Sequence, residues 1–189
     1  MKLSDIEFRA MNALWRKWGH KYFELPMFLR LGLDVKDKDI LEIGCGNGYG
    51  GYLINQLSPK SYIGLDIMEE QLKIARQNYP QYKFFLQSAT DLSQFADESK
   101  DVVIIFGVLH HIPQWRKAID EIARVLKPNG SLFLEEPRGV DIKFFDFFFR
   151  WGHPDTDFGL KALDEHLKSH NFIFKKQWTP LLTVYHCTA

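Results

Sequence analysis

The stretch Ile40-Leu41-Glu42-Ile43-Gly44-Cys45-Gly46-Asn47-Gly48-Tyr49-Gly50-Gly51 decides how this chain folds. A short apolar run breaks into glycines and then turns helical. A parallel strand that feeds a ligand-binding turn has this pattern. Glycine reaches φ > 0 without strain and carries no Cβ to hold a ligand off the backbone. A turn leading into a helix N-terminus also presents free N–H groups and partial positive charge to a polar ligand.

Outward from this turn, β-rich runs alternate with helical patterns. Strands are predicted at residues 40–43, 62–66, 83–87, 101–106 and 131–135. They are rich in Val, Ile, Leu and Phe rather than alternating, as strands buried on both faces of a parallel sheet are. Helices are predicted at 49–57, 69–78 and 113–127, the last stopped by Asn129-Gly130. This repetition implies right-handed crossovers and an open doubly wound α/β sheet. After a helix at 160–170, strands at 172–178 and 181–188 are separated only by Thr179-Pro180. So short a link makes a hairpin, which ends the sheet with an antiparallel strand. Ahead of the first strand, residues 5–31 read as helical, broken around Gly19 and Pro26. A single domain is expected. Its parts are a helical lid at 1–34, a core at 35–136, an aromatic insertion at 137–158, and a final helix and hairpin at 159–189.

Two registers of the turn compete. Gly46-x-Gly48-x-x-Gly51 matches the dinucleotide fingerprint, which on its own is weak. Glu42-x-Gly44-x-Gly46-x-Gly48 starts where the strand ends. It also gives Glu42 a purpose, since an unpaired carboxylate in an apolar strand end costs several kcal/mol. Asp66 ends the second strand, roughly 20 residues past the turn, where a carboxylate can accept from both ribose hydroxyls. Its alternative role is an N-cap of the next helix.

Four segments in order resemble class I S-adenosylmethionine-dependent methyltransferases of the small-molecule type. They are residues 41–48, Gly64-Leu65-Asp66-Ile67, Gly107-Val108-Leu109-His110-His111-Ile112 and Val125-Leu126-Lys127-Pro128-Asn129-Gly130. The resemblance runs from about residue 35 onward. It implies a Rossmann-like seven-stranded sheet of order 3-2-1-4-5-7-6 with strand 7 antiparallel, and S-adenosylmethionine as cofactor. It also implies that Glu42, Gly44, Cys45, Gly46 and Gly48 surround the methionine and ribose parts of the cofactor. Asp66 would hold the ribose, Ile67 would pack on adenine, and Ser88, Ala89 and Thr90 would meet its edge, with Phe106 nearby. Many relatives are acidic where this chain has Ser88, whose neutral hydroxyl bonds more weakly, and Asp91 is a possible substitute.

The cofactor's sulfonium already activates the methyl group, so alignment and exclusion of water carry most of the catalysis. A base is needed only for an acceptor that holds its proton. His110, after the fourth strand, is the candidate base or orienting group, with His111 packed beside the next helix. The other reading is that both histidines only bind loop backbone. In the segment 15–23, Tyr22 or His20 is expected to face the methyl group, and Tyr22 is taken as the second catalytic candidate. The stretch Phe144-Phe145-Asp146-Phe147-Phe148-Phe149-Arg150-Trp151 reads as an apolar substrate pocket, with added core, a dimer interface or a membrane contact as alternatives.

Composition narrows the acceptor. Lys+Arg and Asp+Glu are equal at 24 each, so no overall basic field suggests nucleic acid. Two cysteines among 189 residues make no disulfide framework and no metal motif. No leader-like or membrane-spanning run is seen, and a cytoplasmic location is expected. The Asn/Asp-Pro-Pro-Tyr motif of amino-group methylation is absent after strand four. The expected partner is a small, apolar or aromatic methyl acceptor, taken by a monomer or homodimer. The alternatives are an NAD(P)-dependent oxidoreductase and a non-catalytic cofactor-binding or scaffold protein with this fold.

Overall fold

A computed structural model describes residues 8–9, 12–138 and 157–189. Most of the aromatic insertion at 137–158 and part of the N-terminal helical stretch therefore lie outside the described residues. Seven strands form one sheet in the order β3-β2-β1-β4-β5-β7-β6. They are β1 (Asp39–Ile43), β2 (Ser61–Asp66), β3 (Lys83–Leu86), β4 (Lys100–Phe106), β5 (Leu126–Pro137), β6 (Ile173–Trp178) and β7 (Leu182–Thr188). The first five pair in parallel, and β7 runs antiparallel to both β5 and β6. The order and the antiparallel strand are those expected from the resemblance.

β1 sits centrally between β2 and β4, and side-chain alternation sorts it between two cores. Leu41 and Ile43 join Val103, Ile105, Leu132 and Leu134 under α5 (Trp115–Val125) and α6 (Leu160–Ser169). Ile40 joins Tyr62, Ile104, Phe106 and Phe133 on the opposite face. That face is covered by α2 (Leu25–Arg30), α3 (Tyr49–Asn55) and α4 (Glu69–Asn78). Both faces of the central strands are thus dry, which is why their sequences do not alternate.

Two boundaries differ from expectation. The helix expected at 113–127 ends at Val125, and Leu126 is already extended at the start of β5. Pro128 disfavours helical backbone at Lys127, and Asn129 instead takes a left-handed conformation within the strand segment, at φ 64°. The N-terminal stretch does not break at Gly19 or Pro26. It changes pitch, from α1 (Leu14–Gly19) through a π turn (His20–Glu24) into α2. Pro26 falls in the first turn of α2, directly after the π turn. Among the described residues, no helix is long and apolar enough to cross a membrane.

Candidate active site

The carboxyl end of β1 is held to β2 by its own backbone. The N–H groups of Gly44 and Cys45 both donate to the carbonyl of Leu65, at 2.8 and 2.9 Å. Gly44, Gly46 and Gly48 all have positive φ, but for different reasons. A Cβ on Gly44 would lie 2.4 Å from Val108 Cγ2, whereas one on Gly46 would meet nothing within 4 Å. Gly44 allows the β4 loop to close on the turn, and Gly46 leaves open space above it. Gly48 does not line the cavity described below. Its missing Cβ makes room for Phe84, Ala75 and Tyr79, which corrects its expected place against the cofactor to a packing role behind the turn.

The carboxylate of Asp66 fixes the next loop. Oδ2 accepts from Gly46 N–H at 2.9 Å and Oδ1 from Met68 N–H at 2.8 Å. It does not cap α4, which begins after an extended Met68 with no side-chain cap bond. Burial raises its carboxyl above the ordinary value, against the pull of these amide bonds.

Glu42 is buried beneath the same turn and accepts from the Tyr62 hydroxyl at 2.5 Å. Desolvation pushes its carboxyl up to about 8, more than the Tyr62 bond lowers it. Two glycines beyond Glu42-x-Gly44-x-Gly46-x-Gly48 make this possible. A Cβ on Gly50 would stand 2.3 Å from Glu42 Oε1, and one on Gly51 2.3 Å from the Tyr62 hydroxyl. A glycine pair inside a helical pattern was the signal that something large presses on that face. Burial raises the Cys45 thiol, so this cysteine is an apolar wall rather than a nucleophile.

These groups open onto a cavity of about 410 Å³, within the range of small-molecule sites. Loops after successive strands line it: Gly44–Asn47 from β1, Asp66–Met68 from β2, Gln87–Thr90 from β3, and Phe106–Val108 with His111 from β4. Arg16 and His20 also line it. Ile67, Ser88, Ala89, Thr90 and Phe106 are therefore all brought to one space. Ser88 and Thr90 join hydroxyls at 2.8 Å. Asp91 is not part of the lining and accepts from Ser93 N–H instead, so it does not replace the acidic group missing at Ser88. Sequence reading missed Gln71, a buried wall residue whose Oε1 has no hydrogen-bond partner among the described residues.

Both catalytic candidates from sequence are displaced. His110 is buried outside the cavity lining, with Nδ1 2.7 Å from Glu136 Oε2. Glu136 Oε1 accepts from the N–H groups of Val108 and Leu109 at 3.2 and 2.8 Å, and burial lifts its carboxyl to about 8. His110 is thus held in a loop-fixing network, and His111 is the one that reaches the cavity. The tight 3₁₀ turn Leu109–His111 turns each side chain roughly a third of a revolution from the last. Tyr22 is 51% exposed and packs on Trp18 with ring centroids 4.9 Å apart. His20 takes the inward place, its ring 4.8 Å from that of Phe106 and edge-on to it.

Around His20 lies a buried charged group. Arg16 pairs with Glu24 Oε1, and its Nη2 stands 3.7 Å from Glu135 Oε1. His20 Nδ1 lies 3.0 Å from Glu24 Oε2, at ion-pair distance but without a formed hydrogen bond. Burial holds His20 well below its ordinary pKa, and Arg16 adds to this. Burial raises Glu24 and raises Glu135 strongly.

The donor set suits a nucleoside with a cationic amino-acid tail. Backbone approach is open at Gly46, a carboxylate waits at the end of β2, and a buried acid waits under the turn. Residues 41–134 match the family model described as a methyltransferase domain. The chain belongs to the class I, Rossmann-like family of S-adenosylmethionine-dependent methyltransferases. Over 101 residues it is 38% identical to the phthiotriol/phenolphthiotriol dimycocerosates methyltransferase of Mycobacterium tuberculosis. That alignment takes in 52% of this chain and 37% of the relative, so the chain spans less than two fifths of it. A methyltransferase structure from Aquifex aeolicus superimposes with a TM-score of 0.77 at 12% identity, covering 99% of both chains. One from Mesorhizobium loti gives 0.74 at 14%, covering 88% of this chain and 97% of that one. At such identities these two speak for the fold alone.

Proposed function

We propose that the chain transfers a methyl group from S-adenosylmethionine to a small organic acceptor with an apolar or aromatic body. One observation carries this most. The glycine turn, Asp66 and the 87–90 loop meet on one cavity, with the turn and the β2 loop tied together through the Gly46–Asp66–Met68 bonds. When bound, the cofactor supplies a methyl group activated by its sulfonium. The chain holds the donor, orients the acceptor and excludes water. In this reading Gly44 and Gly46 lie against the methionine and ribose parts. Asp66 accepts from the ribose hydroxyls with the lone pairs its amide bonds leave. Ile67 packs on adenine, and Ser88, Ala89 and Thr90 meet its edge. Glu42 faces the ammonium, whose charge draws the raised carboxyl back toward ionisation.

A relative that acts, by its name, on phthiotriol and phenolphthiotriol dimycocerosates supports an organic acceptor over a nucleic acid. Calorimetry and thermal shift test the reading. S-adenosylhomocysteine should bind and stabilise the chain by about 2.7 kcal/mol at a hundredfold excess over Kd. NAD should do neither. Binding of NAD without S-adenosylhomocysteine would return the turn to an oxidoreductase. Binding of S-adenosylhomocysteine with no transfer to any acceptor would leave a non-catalytic binding protein.

A further inference from the structure

The roles given to the cofactor-binding groups leave one buried charged cluster without a task. Arg16, His20 and Glu24 recur at intervals of four along α1 and the π turn, and so share a helical face. π turns inside helices occur frequently at functional sites. Arg16 and His20 line the cavity, while Glu24 stands behind them and Glu135 approaches from β5, paired in register with Phe106. Three buried atoms of the group, His20 Nδ1, Glu24 Oε2 and Glu135 Oε2, have no formed hydrogen bond among the described residues. Buried polar atoms are nearly always bonded, so three exceptions at one wall of a cavity ask for a reason. The first two lie 3.0 Å apart. Catalytic hydrogen bonds are often loose before ligands bind and tighten afterwards.

We propose that His20 is the catalytic base of the methyl transfer, positioned by Glu24, and that the acceptor is a hydroxyl compound, either a phenol or an alcohol. This rests on the methyl-transfer reading above. Glu24 fixes Nδ1–H toward its own carboxylate, which leaves the Nε2 lone pair for the acceptor. Arg16 holds Glu24 in place through the other oxygen. The groups around His20 are Arg16 and Glu24 from its own helix and the rings of Phe106 and Tyr49, with Glu135 from β5 reaching the cluster through Arg16. Burial and Arg16 keep the ring neutral before reaction, so its lone pair is available.

The acceptor class follows from what needs a base. A carboxylate is already ionised at neutral pH, and a thiol partly so. A neutral amine attacks with its lone pair and loses its proton afterwards. A phenol, with a pKa of about 10, still carries its proton. In the step, the acceptor oxygen forms its bond to the methyl carbon as the sulfur–methyl bond breaks and sulfur keeps the electron pair. The hydroxyl proton goes to His20 Nε2. Positive charge passes from sulfur to the imidazolium, which Glu24 stabilises, so the buried site keeps its net charge throughout.

The first test reads the proton directly. The chain has seven histidines, and His20 is assigned in ¹⁵N-histidine-labelled protein by the signal lost in His20→Gln. With S-adenosylhomocysteine bound at pH 7, long-range ¹H–¹⁵N correlations should show a neutral His20 ring protonated at Nδ1. Glu24→Gln should mix the tautomers, and Glu24→Asp should keep Nδ1–H. A proton on Nε2, or a charged ring, overturns the proposal. Methyl transfer from radiolabelled S-adenosylmethionine is then measured on para-substituted phenols and primary alcohols. His20→Gln should slow the least acidic phenols by about a hundredfold or more, and 4-nitrophenol far less. Equal losses across the series, or no methylation of any phenol or alcohol by the wild type, overturn it as well. Calorimetry with S-adenosylhomocysteine separates the two readings. Failure of the wild-type chain to bind breaks the methyl-transfer reading itself. Normal binding with the wrong tautomer breaks only the assignment of His20.

Discussion

At the β1–β2–β3 end of the cavity, the groups that face a ligand are amides and open backbone, fixed by glycine conformation and by one carboxylate. At the β4–β5 end they are charged side chains buried beside one another, drawn from a helix near the N-terminus and from the fifth strand. The first arrangement is rigid because every part hangs on the sheet: Gly44 and Cys45 on Leu65, Gly46 on Asp66. The second depends on two carboxylates, Glu24 and Glu135, sharing one guanidinium, with His20 set against Glu24. A cradle made of backbone can hold the same donor in many proteins. A cluster made of side chains is where a protein sets its own acceptor.

The sharpest way to break the first end is Gly44→Ala. Its φ of 71° disfavours a side chain, and the new Cβ would collide with Val108 at 2.4 Å. Left-handed strain and overpacking together should cost about 2–4 kcal/mol of stability, read by urea denaturation. A loss under about 1 kcal/mol would mean that the β4 loop moves aside freely, and the cradle is then less rigid than described.

The neighbouring histidines divide along the same line. His110→Ala removes the partner of buried Glu136 Oε2 while Oε1 keeps its two amide bonds, and leaving that one oxygen unpaired should destabilise the fold by about 1–3 kcal/mol. Affinity for S-adenosylhomocysteine should hold, because His110 does not line the cavity. His111→Ala should do the reverse, altering ligand affinity with little change in melting temperature. A catalytic defect in His110→Ala without lost stability would restore it to the site.

This pair also marks how far the sequence could be read. The parallel strands and the closing hairpin were legible because local apolar runs and one short link constrain them, whereas the sheet order came only from the family resemblance. Gly44, Gly46 and Asp66 could be singled out because a glycine turn and a strand-end carboxylate stand out locally in the chain, and all three line the cavity. Which of His110 and His111 turns inward depends on Glu136, 26 residues away from His110. No local pattern reports that. Tyr22 fails for a related reason. A π turn adds a residue to the helical repeat, and the sequence carries no local mark of it; the turn places His20, not Tyr22, against Phe106. Gly48 shows the opposite error, since a glycine in the right motif can serve the packing behind a turn.

At the cofactor end, Asp66→Ala should weaken S-adenosylhomocysteine binding on the order of tenfold, about 1.4 kcal/mol. It removes the carboxylate proposed to accept from the ribose and frees the Gly46 amide from its anchor. Calorimetry measures it, and unchanged affinity would take the ribose role from Asp66.

The smallest effect compares the two ends through pH. Glu42 has a folded pKa of about 8, raised by burial from an ordinary value of 4.5. The folded chain therefore binds a proton that the unfolded chain has released between these values. Stability from this group is complete below the unfolded pKa and falls as pH rises toward about 8. The slope is at most about 1.4 kcal/mol per pH unit. Glu42→Gln keeps the shape and the Tyr62 bond but cannot titrate. The stability of the wild type minus that of Glu42→Gln, from urea titrations between pH 5 and 8, should decline with pH. A flat difference would mean that Glu42 is ionised in the folded chain. Some cation or water would then already satisfy it beneath the turn, and the cofactor end would hold a fixed charge as the acceptor end does.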